Sequence, residues 1–281
     1  MSRSNKIAGP STWAWRRWIK ADQRDLWTDR LVGTNTFPPI FIESPARSRV
    51  LLEVYSQERA ALTALVRKYR GQMRLLKASE WLQPLSAPPI RIGKKLEIVH
   101  QKPEKRSGIP RLYIPHGVAF GSGDHGTTHM LLRALTSQKN WEKTSVLDLG
   151  TGSGVLALAA RLFGAGKIVA TDFDPEAVRT AAQNELLNFP TASIRWRCAD
   201  VKRLRAKPQY DLVVANLFSE ILGQAAPQIA GSVAPDGQLW LSGILRHQKD
   251  EVVASYRKQK LRLARAISRG KWVMLQWEKS A

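Results

Sequence analysis

A glycine-rich turn is the clearest candidate for chemistry in this sequence of 281 residues. The apolar segment from Val146 to Leu149 has the pattern of a short strand, and Gly150, Gly152 and Gly154 follow it before an apolar helix begins. Glycines at such a turn let the backbone approach a ligand closely, because no Cβ stands in the way. The turn therefore predicts a small-molecule site where a strand passes into a helix.

The spacing within the turn separates one kind of ligand from another. A nicotinamide dinucleotide fingerprint, GxGxxG, needs glycine at a position that Val155 occupies. The pattern starts instead at Asp148 and reads DxGxGxG, the form that holds the methionine end of S-adenosylmethionine, which has no pyrophosphate. The alternative interpretation of this turn is that the chain is another kind of nucleotide-binding protein with a Rossmann-type fold.

Carboxylates follow the next two strand-like segments. Asp172 ends the second strand, about 20 residues after the turn, where a carboxylate can accept hydrogen bonds from both ribose hydroxyls. Asp174 directly precedes Pro175 and is expected to cap the following helix. Asp200 follows the third strand, where it either accepts the adenine amino group or is an ordinary strand-end carboxylate. The sequence thus predicts a cofactor site at the carboxyl edge of a sheet.

The elements that position these residues alternate in type along the chain. Strands are predicted over 145–149, 167–171, 194–198, 211–215, 237–242, 261–267 and 272–277, and helices over 154–163, 175–187 and 219–231. Apolar strands that alternate with helices predict a parallel, doubly wound sheet, and the closing hairpin adds antiparallel strands at one edge. The expected fold is α/β, a Rossmann-like seven-stranded class I methyltransferase domain with a smaller N-terminal α/β domain.

The N-terminal part is expected to be a separate unit. Its tryptophans lie among arginines and lysines; they form either a basic aromatic contact surface or, as we favour, the buried face of a helix (Trp13, Trp15, Trp18 and Trp27). Prolines and polar residues near position 105 suggest a linker. The expected division is an N-terminal substrate-recognition domain, a linker and a methyltransferase domain, over 1–100, 101–115 and 116–281.

Composition limits the class of protein. Hydrophobic residues make up 43% of the chain and charged residues 24%, which is ordinary for a globular protein. No apolar run reaches the ~20 residues that span a bilayer, and the first thirty residues resemble neither a secretory signal nor a transit peptide. The single cysteine, Cys198, excludes an internal disulfide and fits the cytoplasm. No cluster has metal-ligand spacing, so we predict no metal.

The net charge of +21 is the unusual quantity. Such a surface attracts polyanions and acidic proteins, and contact with ribosomal RNA is one interpretation; general solubility or a compositional bias is the other. The final hairpin region is basic, and a second cluster follows the third strand (Arg195, Arg197, Lys202, Arg203, Arg205 and Lys207).

Three segments carry a family resemblance. Residues 119–128 read AFGSGDHGTT and resemble the AFGTGTHPTT signature of the ribosomal protein L11 methyltransferases. Residues 214–217 resemble that family's VANI, and residues 241–245 its LSGIL. The similarity extends from about Ile90 to Trp277. This sequence departs from the signature at Asp124, where the family usually has Thr, and at Gly126, where it has Pro.

The resemblance implies roles for individual residues. Phe120 and the loop with Gly121 and Gly123 would cover the cofactor, while Thr127 and Thr128 would hold its carboxylate or the loop itself. Asn216 ends the fourth strand, where its amide oxygen can accept a hydrogen bond from the attacking amine and its side chain borders the cofactor. His125 is either a general base or, as we favour, a residue held by the loop backbone.

The substrate predicted by this pattern is a protein amine. No Pro-Pro-aromatic segment follows Asn216, so the motif that grips planar amides and adenine amines is missing. We therefore expect methyl transfer from S-adenosylmethionine to lysine side chains or the N-terminal amine of a protein, and the resemblance implies that this protein is ribosomal protein L11. The alternatives are methylation of another protein lysine, methylation of ribosomal RNA, and a catalytically silent ribosome-binding protein.

Overall fold

The chain forms two compact units, Met1–Pro88 and Pro89–Ala281. The structure is a computed structural model, and it describes residues 12–31, 34, 36, 39–43, 49–76, 89–102, 108–115, 123 and 125–280. The division lies earlier in the chain than the domain boundary expected at residue 100, because the strands that begin at Ile90 belong to the second unit.

The first unit contains an antiparallel sheet with helices on one face. Its strands have the order β2-β3-β1-β4. Its apolar core includes Trp15, Leu52 and Val54 from the sheet and Leu62 and Leu65 from a helix. The bounds are β1 (Thr12–Lys20), α1 (Arg24–Leu31), β2 (Ile40–Glu43), β3 (Arg49–Ser56), α2 (Arg59–Tyr69) and β4 (Gln72–Leu76).

The buried helix face expected for four N-terminal tryptophans is confirmed for Trp27 on α1 and was wrong for Trp13, Trp15 and Trp18, which lie on strand β1. Residues three apart share a face of a helix but point to opposite faces of a strand. Trp15 is accordingly buried, with its Nε1 donating a hydrogen bond to the Arg70 carbonyl at 2.7 Å, while Trp18 is 42% exposed. The period-two spacing of Trp13 and Trp15 was the signal for a strand.

The second unit is built on a seven-stranded sheet of order β10-β9-β8-β11-β12-β14-β13, preceded by a small sheet of order β5-β6-β7. Strands β8 to β12 pair in parallel, and β14 runs antiparallel to both β12 and β13. This arrangement confirms the predicted seven-stranded α/β fold. The strands are β5 (Ile90–Ile92), β6 (Leu96–Val99), β7 (Arg111–Tyr113), β8 (Ser145–Leu149), β9 (Lys167–Asp172), β10 (Arg195–Cys198), β11 (Tyr210–Asn216), β12 (Val233–Leu245), β13 (Leu261–Arg269) and β14 (Trp272–Lys279).

Helices cover both faces of this sheet. They are α3 (Gly126–Leu135), α4 (Val155–Leu162), α5 (Pro175–Asn188), α6 (Ser219–Gln224), α7 (Ala226–Gly231) and α8 (Lys249–Arg257). Helices α3 and α4 pack in the core on one face, and α6 to α8 pack on the other. The single helix predicted near 219–231 is two helices, with Pro227 in the first turn of the second. Within the described part of the chain, no helix is both long and apolar enough to cross a bilayer.

The strand order of the sheet reverses at β8, so the ligand crevice expected for such a sheet lies next to this strand. Strand β9 lies on one side of β8 and β11 lies on the other, so the chain leaves β8 in one direction and later returns in the opposite one. In open α/β sheets, ligands bind outside the carboxyl ends of the strands at such a switch point. The glycine turn that follows β8 lies there.

Candidate active site

The predicted site residues end neighbouring strands of one sheet edge. Leu149, the last residue of β8, pairs with Thr171 on β9 and with Ala215 on β11, so Gly150, Asp172 and Asn216 all come next at the same level. Beyond β10, the Ala199 N–H donates to the Asp172 carbonyl at 2.8 Å, which brings Asp200 to this edge as well. The fold therefore collects residues that are far apart in sequence.

The glycine turn and Asp172 form one hydrogen-bonded unit. The N–H groups of Gly150 and Thr151 both donate to the Thr171 carbonyl at 2.9 Å. The Gly152 N–H donates to Asp172 Oδ2 at 2.8 Å, and the Asp174 N–H donates to Asp172 Oδ1 at 3.0 Å. Each carboxylate oxygen has two lone pairs, so Asp172 keeps the capacity to accept from a ligand while it holds the turn.

The other two strand-end carboxylates act locally. Asp174 accepts a hydrogen bond from the Glu176 N–H at 2.9 Å ahead of Pro175 in the first turn of α5, which confirms the predicted helix cap. Asp200 likewise accepts from the Lys202 N–H at 2.9 Å at the start of a short 3₁₀ helix. The role of Asp200 toward an adenine amino group stays a prediction.

Asp148 lies beneath the turn and is fully buried. Its Oδ2 accepts a hydrogen bond from the Thr151 hydroxyl at 2.6 Å, which ties the strand to the turn. Burial raises the pKa of Asp148 from 3.8 to about 7, against the opposing effect of the Thr151 hydroxyl. A buried carboxyl group beneath the turn is suited to a cationic ligand, because a positive charge nearby favours its ionised form.

The raised pKa of Asp148 predicts a pH-dependent stability for the ligand-free protein. Between pH 4 and pH 7 the unfolded chain ionises this group and the folded chain does not. Folding then takes up a proton, so the free energy of unfolding falls as pH rises through this window, by at most about 1.4 kcal/mol per pH unit. Urea titrations of Asp148→Asn, which lacks the ionisable group, should show a flatter profile than the wild type. Parallel profiles for the two proteins would mean that Asp148 titrates normally.

Asn216 is held by helix α3, which lies near the start of the second unit in the sequence. Its Nδ2 donates to the Thr128 hydroxyl at 3.0 Å, and Thr128 is buried in α3. Just before this helix, His125 Nδ1 lies 2.7 Å from the hydroxyl of Thr127, and its ring packs edge-on against Trp272 at 4.9 Å. Thr127 and Thr128 thus make contacts within the protein, and the amide oxygen of Asn216 is oriented as a consequence.

Leu217, the residue after Asn216, is enclosed by two glycines. A Cβ on Gly150 would lie 2.3 Å from Leu217 Cδ2, and a Cβ on Gly243 would lie 2.3 Å from the Leu217 carbonyl oxygen. The Leu217 N–H also donates to the Ser242 carbonyl at 3.2 Å. Gly243 has φ +87° within a register shift between β12 and β14. The LSGIL segment therefore sets the path of the chain that carries Asn216.

Gly243→Ala is expected to destabilise the fold and impair the site together. The new methyl group would meet backbone, and the left-handed conformation costs about 1–3 kcal/mol for a residue with a Cβ. We expect a lower midpoint in urea and a slower single turnover. Gly223→Ala in α6 is the matched control, because the new Cβ would meet no atom closer than Ser255 Oγ, at 3.8 Å. That variant should gain about 0.5–1 kcal/mol. Equal stability of the two variants would contradict the close approach at Leu217.

Two exposed aromatic side chains flank the turn and were not singled out from the sequence. Phe173 follows Asp172 and is 76% exposed, and Phe218 follows Asn216–Leu217 and is 75% exposed. Large apolar side chains at strand ends on both sides of a crevice are suited to stacking against flat or aliphatic ligand groups. The available signal was their position within two residues of strand-end polar residues, Asp172 and Asn216.

Part of the signature loop lies outside the described residues, namely Phe120, Gly121 and Asp124. Gly123 is buried with φ +101°, and a Cβ there would lie 2.7 Å from Ile98 Cδ1. Among the residues that the structure describes, no group of three or more His, Cys, Asp or Glu side chains is arranged to hold a metal ion.

Similarity to known proteins covers most of the chain. Residues 45–280 match the model of the family described as ribosomal protein L11 methyltransferase (PrmA). A protein of that name from Azotobacter vinelandii is 41% identical over 209 residues, which are 70% of this chain and 69% of the relative. One from Rhizobium leguminosarum bv. trifolii is 35% identical over 234 residues, which are 81% of this chain and 80% of the relative.

Coverage is smaller for another relative of the same name. The protein from Heliobacterium modesticaldum is 36% identical over 192 residues, and the match spans 66% of this chain but only 59% of the relative. A crystal structure of ribosomal protein L11 methylase from Lactobacillus delbrueckii subsp. bulgaricus superposes with a TM-score of 0.62 at 27% identity, covering 69% of this chain and 99% of that one. The glycine turn, the seven-stranded sheet and the match over residues 45–280 lead to one conclusion, that this chain belongs to the ribosomal protein L11 methyltransferase family.

Proposed function

We propose that this protein transfers methyl groups from S-adenosylmethionine to amino groups of ribosomal protein L11, at lysine side chains, the N-terminal amine or both. The observation that carries the proposal is the convergence of the glycine turn, Asp172 and Asn216 on one sheet edge in a member of this family. The cofactor would supply a methyl group on a positively charged sulfur. The neutral amine would bond to that methyl carbon in line as the carbon–sulfur bond breaks, so that the rest of the cofactor leaves as a neutral thioether.

The donor set at the sheet edge fits S-adenosylmethionine. Asp172 supplies carboxylate oxygens for ribose hydroxyls, and the exposed ring of Phe173 next to it suits the face of an adenine. The turn from Gly150 to Gly154 leaves room for the methionine end, and the carboxyl group of Asp148 beneath it favours positive charge. Gly121, Gly123, Thr127, Thr128, Asp200 and Asn216 complete the proposed cofactor-binding set.

The chain's contribution to methyl transfer is to present a neutral amine in line and to exclude water. A lysine amine has a reference pKa near 10.4, so deprotonating it at pH 7 costs about 4.6 kcal/mol in water. An apolar slot lowers this cost because it disfavours the ammonium form. The exposed ring of Phe218 is the apolar group that we assign to the slot. By the family resemblance, we propose Phe120 and Asn216 as the catalytic residues.

Asn216 aligns the attacking amine in this proposal. Its Nδ2 is occupied by the Thr128 hydroxyl at 3.0 Å, which leaves the amide oxygen to accept an N–H of the substrate. Acceptance of one N–H directs the nitrogen lone pair toward the methyl group. His125 has a positional role, since its ring contacts Thr127 and Trp272.

Transferred label distinguishes this function from methylation of ribosomal RNA. Incubation with radiolabelled S-adenosylmethionine and ribosomal extract should label a small ribosomal protein, and mass spectrometry of the band should place the methyl groups on lysines or the N-terminus. Protease should release the label and ribonuclease should not. Label that resists protease and is released by ribonuclease would make RNA the acceptor, and label on another protein would reassign the substrate.

We place this reaction in the cytoplasm, where a single exposed cysteine stays reduced.

A further inference from the structure

A cavity lies in the unit Pro89–Ala281 away from the proposed active site, and none of its lining residues belongs to that site. It has a volume of about 630 Å³ and is bounded by α3 and by strands β12, β13 and β14. Its floor is formed by residues of the sheet, including the buried Trp240 and Trp277; the Trp277 ring itself packs against Tyr256 on the other face of the sheet. The cavity is large enough to seat part of a chain molecule.

Three arginines give this cavity its charge. Arg133 on α3 and Arg265 and Arg269 on β13 line it, and all three are exposed. Within the described part of the chain, none of them has a carboxylate within ion-pairing distance. Glu278, the acidic side chain in the lining, is instead paired with Arg262. The guanidinium groups are therefore available to an external anion.

His129 in the same cavity adds no charge near pH 7. Burial and, second to it, the nearby charge of Arg269 together lower the pKa of His129 from 6.5 to about 4. The positive potential therefore rests on the arginines, which stay charged at every physiological pH.

Two of the arginines lie along one strand. Arg265 and Arg269 are four residues apart on the edge strand β13, which separates their backbones by about 13 Å at the usual rise per residue. Successive phosphates on one strand of a nucleic-acid duplex advance by about 3.4 Å along the helix axis, so the span between these two arginines covers more than one phosphate. A guanidinium fork matches two phosphate oxygens at once.

We propose that this groove binds the phosphate backbone of RNA, independently of base sequence. The cavity's tryptophans are only 4% and 0% exposed, so they offer no ring on which a base could stack. Contacts to phosphate position a protein on RNA and carry no sequence information. The inference rests on the arginines and does not depend on which amine is methylated at the active site.

The salt dependence of RNA binding tests this assignment. Fluorescence anisotropy with a labelled single-stranded RNA of about 16 nucleotides would measure affinity between about 50 and 200 mM salt. Each phosphate contact contributes about 0.7 to the slope of log affinity against log salt for a single strand. Arg133→Gln/Arg265→Gln/Arg269→Gln is expected to reduce the slope by about 2, and Arg265→Gln alone by about 0.7.

A charge-matched variant separates the groove from the general positive charge. Arg195→Gln/Arg197→Gln/Lys202→Gln removes the same charge near the opposite edge of the sheet, and it should leave the slope nearly unchanged. Equal losses in the two triple variants, or no loss in the groove variants, would overturn the proposal. Tighter binding of a labelled polyglutamate peptide than of RNA, lost with the same three arginines, would overturn it in favour of an acidic protein segment. Unchanged calorimetric affinity for S-adenosylmethionine would verify that the groove variants are folded.

Discussion

Replacing Asp172 by alanine is expected to lower the affinity for S-adenosylmethionine by about 100-fold. The substitution removes the proposed acceptor of two ribose hydroxyls, and each hydrogen bond to a charged group contributes about 1.5–3 kcal/mol. It also frees the Gly152 N–H, which Asp172 Oδ2 holds at 2.8 Å, so the glycine turn loses its anchor. Calorimetric titration of the purified protein measures the effect directly.

Asp174→Ala is the matched control for this prediction. Asp174 lies two residues further on, and its carboxylate caps α5 through the Glu176 N–H. Loss of a cap costs about 1 kcal/mol of stability, so this variant should unfold earlier in urea and still bind the cofactor normally. An Asp172→Ala variant with wild-type affinity would remove Asp172 from the cofactor site.

Replacing Asn216 by alanine is expected to slow the chemical step by about 10²–10³-fold, the usual effect of losing an oriented polar group at a reacting centre. Affinity for S-adenosylmethionine should fall far less than the chemical rate, because the proposed partner of the amide oxygen is the attacking amine. Single-turnover kinetics with saturating cofactor and substrate isolates the step, and calorimetry measures cofactor affinity in parallel.

Thr128→Val tests whether the orientation of Asn216 matters. Valine has a similar shape but cannot accept the hydrogen bond that Asn216 Nδ2 donates at 3.0 Å. Loss of one neutral hydrogen bond amounts to about 1 kcal/mol, so the chemical rate should fall about fivefold, much less than with Asn216→Ala. An Asn216→Ala protein that loses cofactor affinity and keeps its chemical rate would place Asn216 in the cofactor pocket alone.

Local sequence patterns were sufficient for the sheet and for the polar groups at its edge. Buried parallel strands are short apolar runs, and the residues at their carboxyl ends, Gly150, Asp172 and Asn216, can be read directly from the chain. The cap at Asp174 is also a local interaction over two residues, which is why it was predicted correctly. Local patterns gave the wrong element where one spacing fits both a helix and a strand. Trp15 and Trp18 are spaced as on one face of a helix, and only the pairing of β1 with β3 shows that this segment is a strand.

The amino-acid sequence by itself determined the seven strands from β8 to β14, the DxGxGxG turn and the family, since each depends on residues close together in short segments of the chain. Only the tertiary structure decided which of these groups meet. Thr128 and Asn216 are 88 residues apart yet share a hydrogen bond, and Gly243 closes on Leu217 through packing of neighbouring strands. Burial, with a smaller contribution from the charge of Asp172, raises the pKa of Asp148. The groove of Arg133, Arg265 and Arg269 exists because α3 lies beside β13. Contacts and solvent exclusion of this kind arise when distant segments pack, and no local pattern of residue types encodes them.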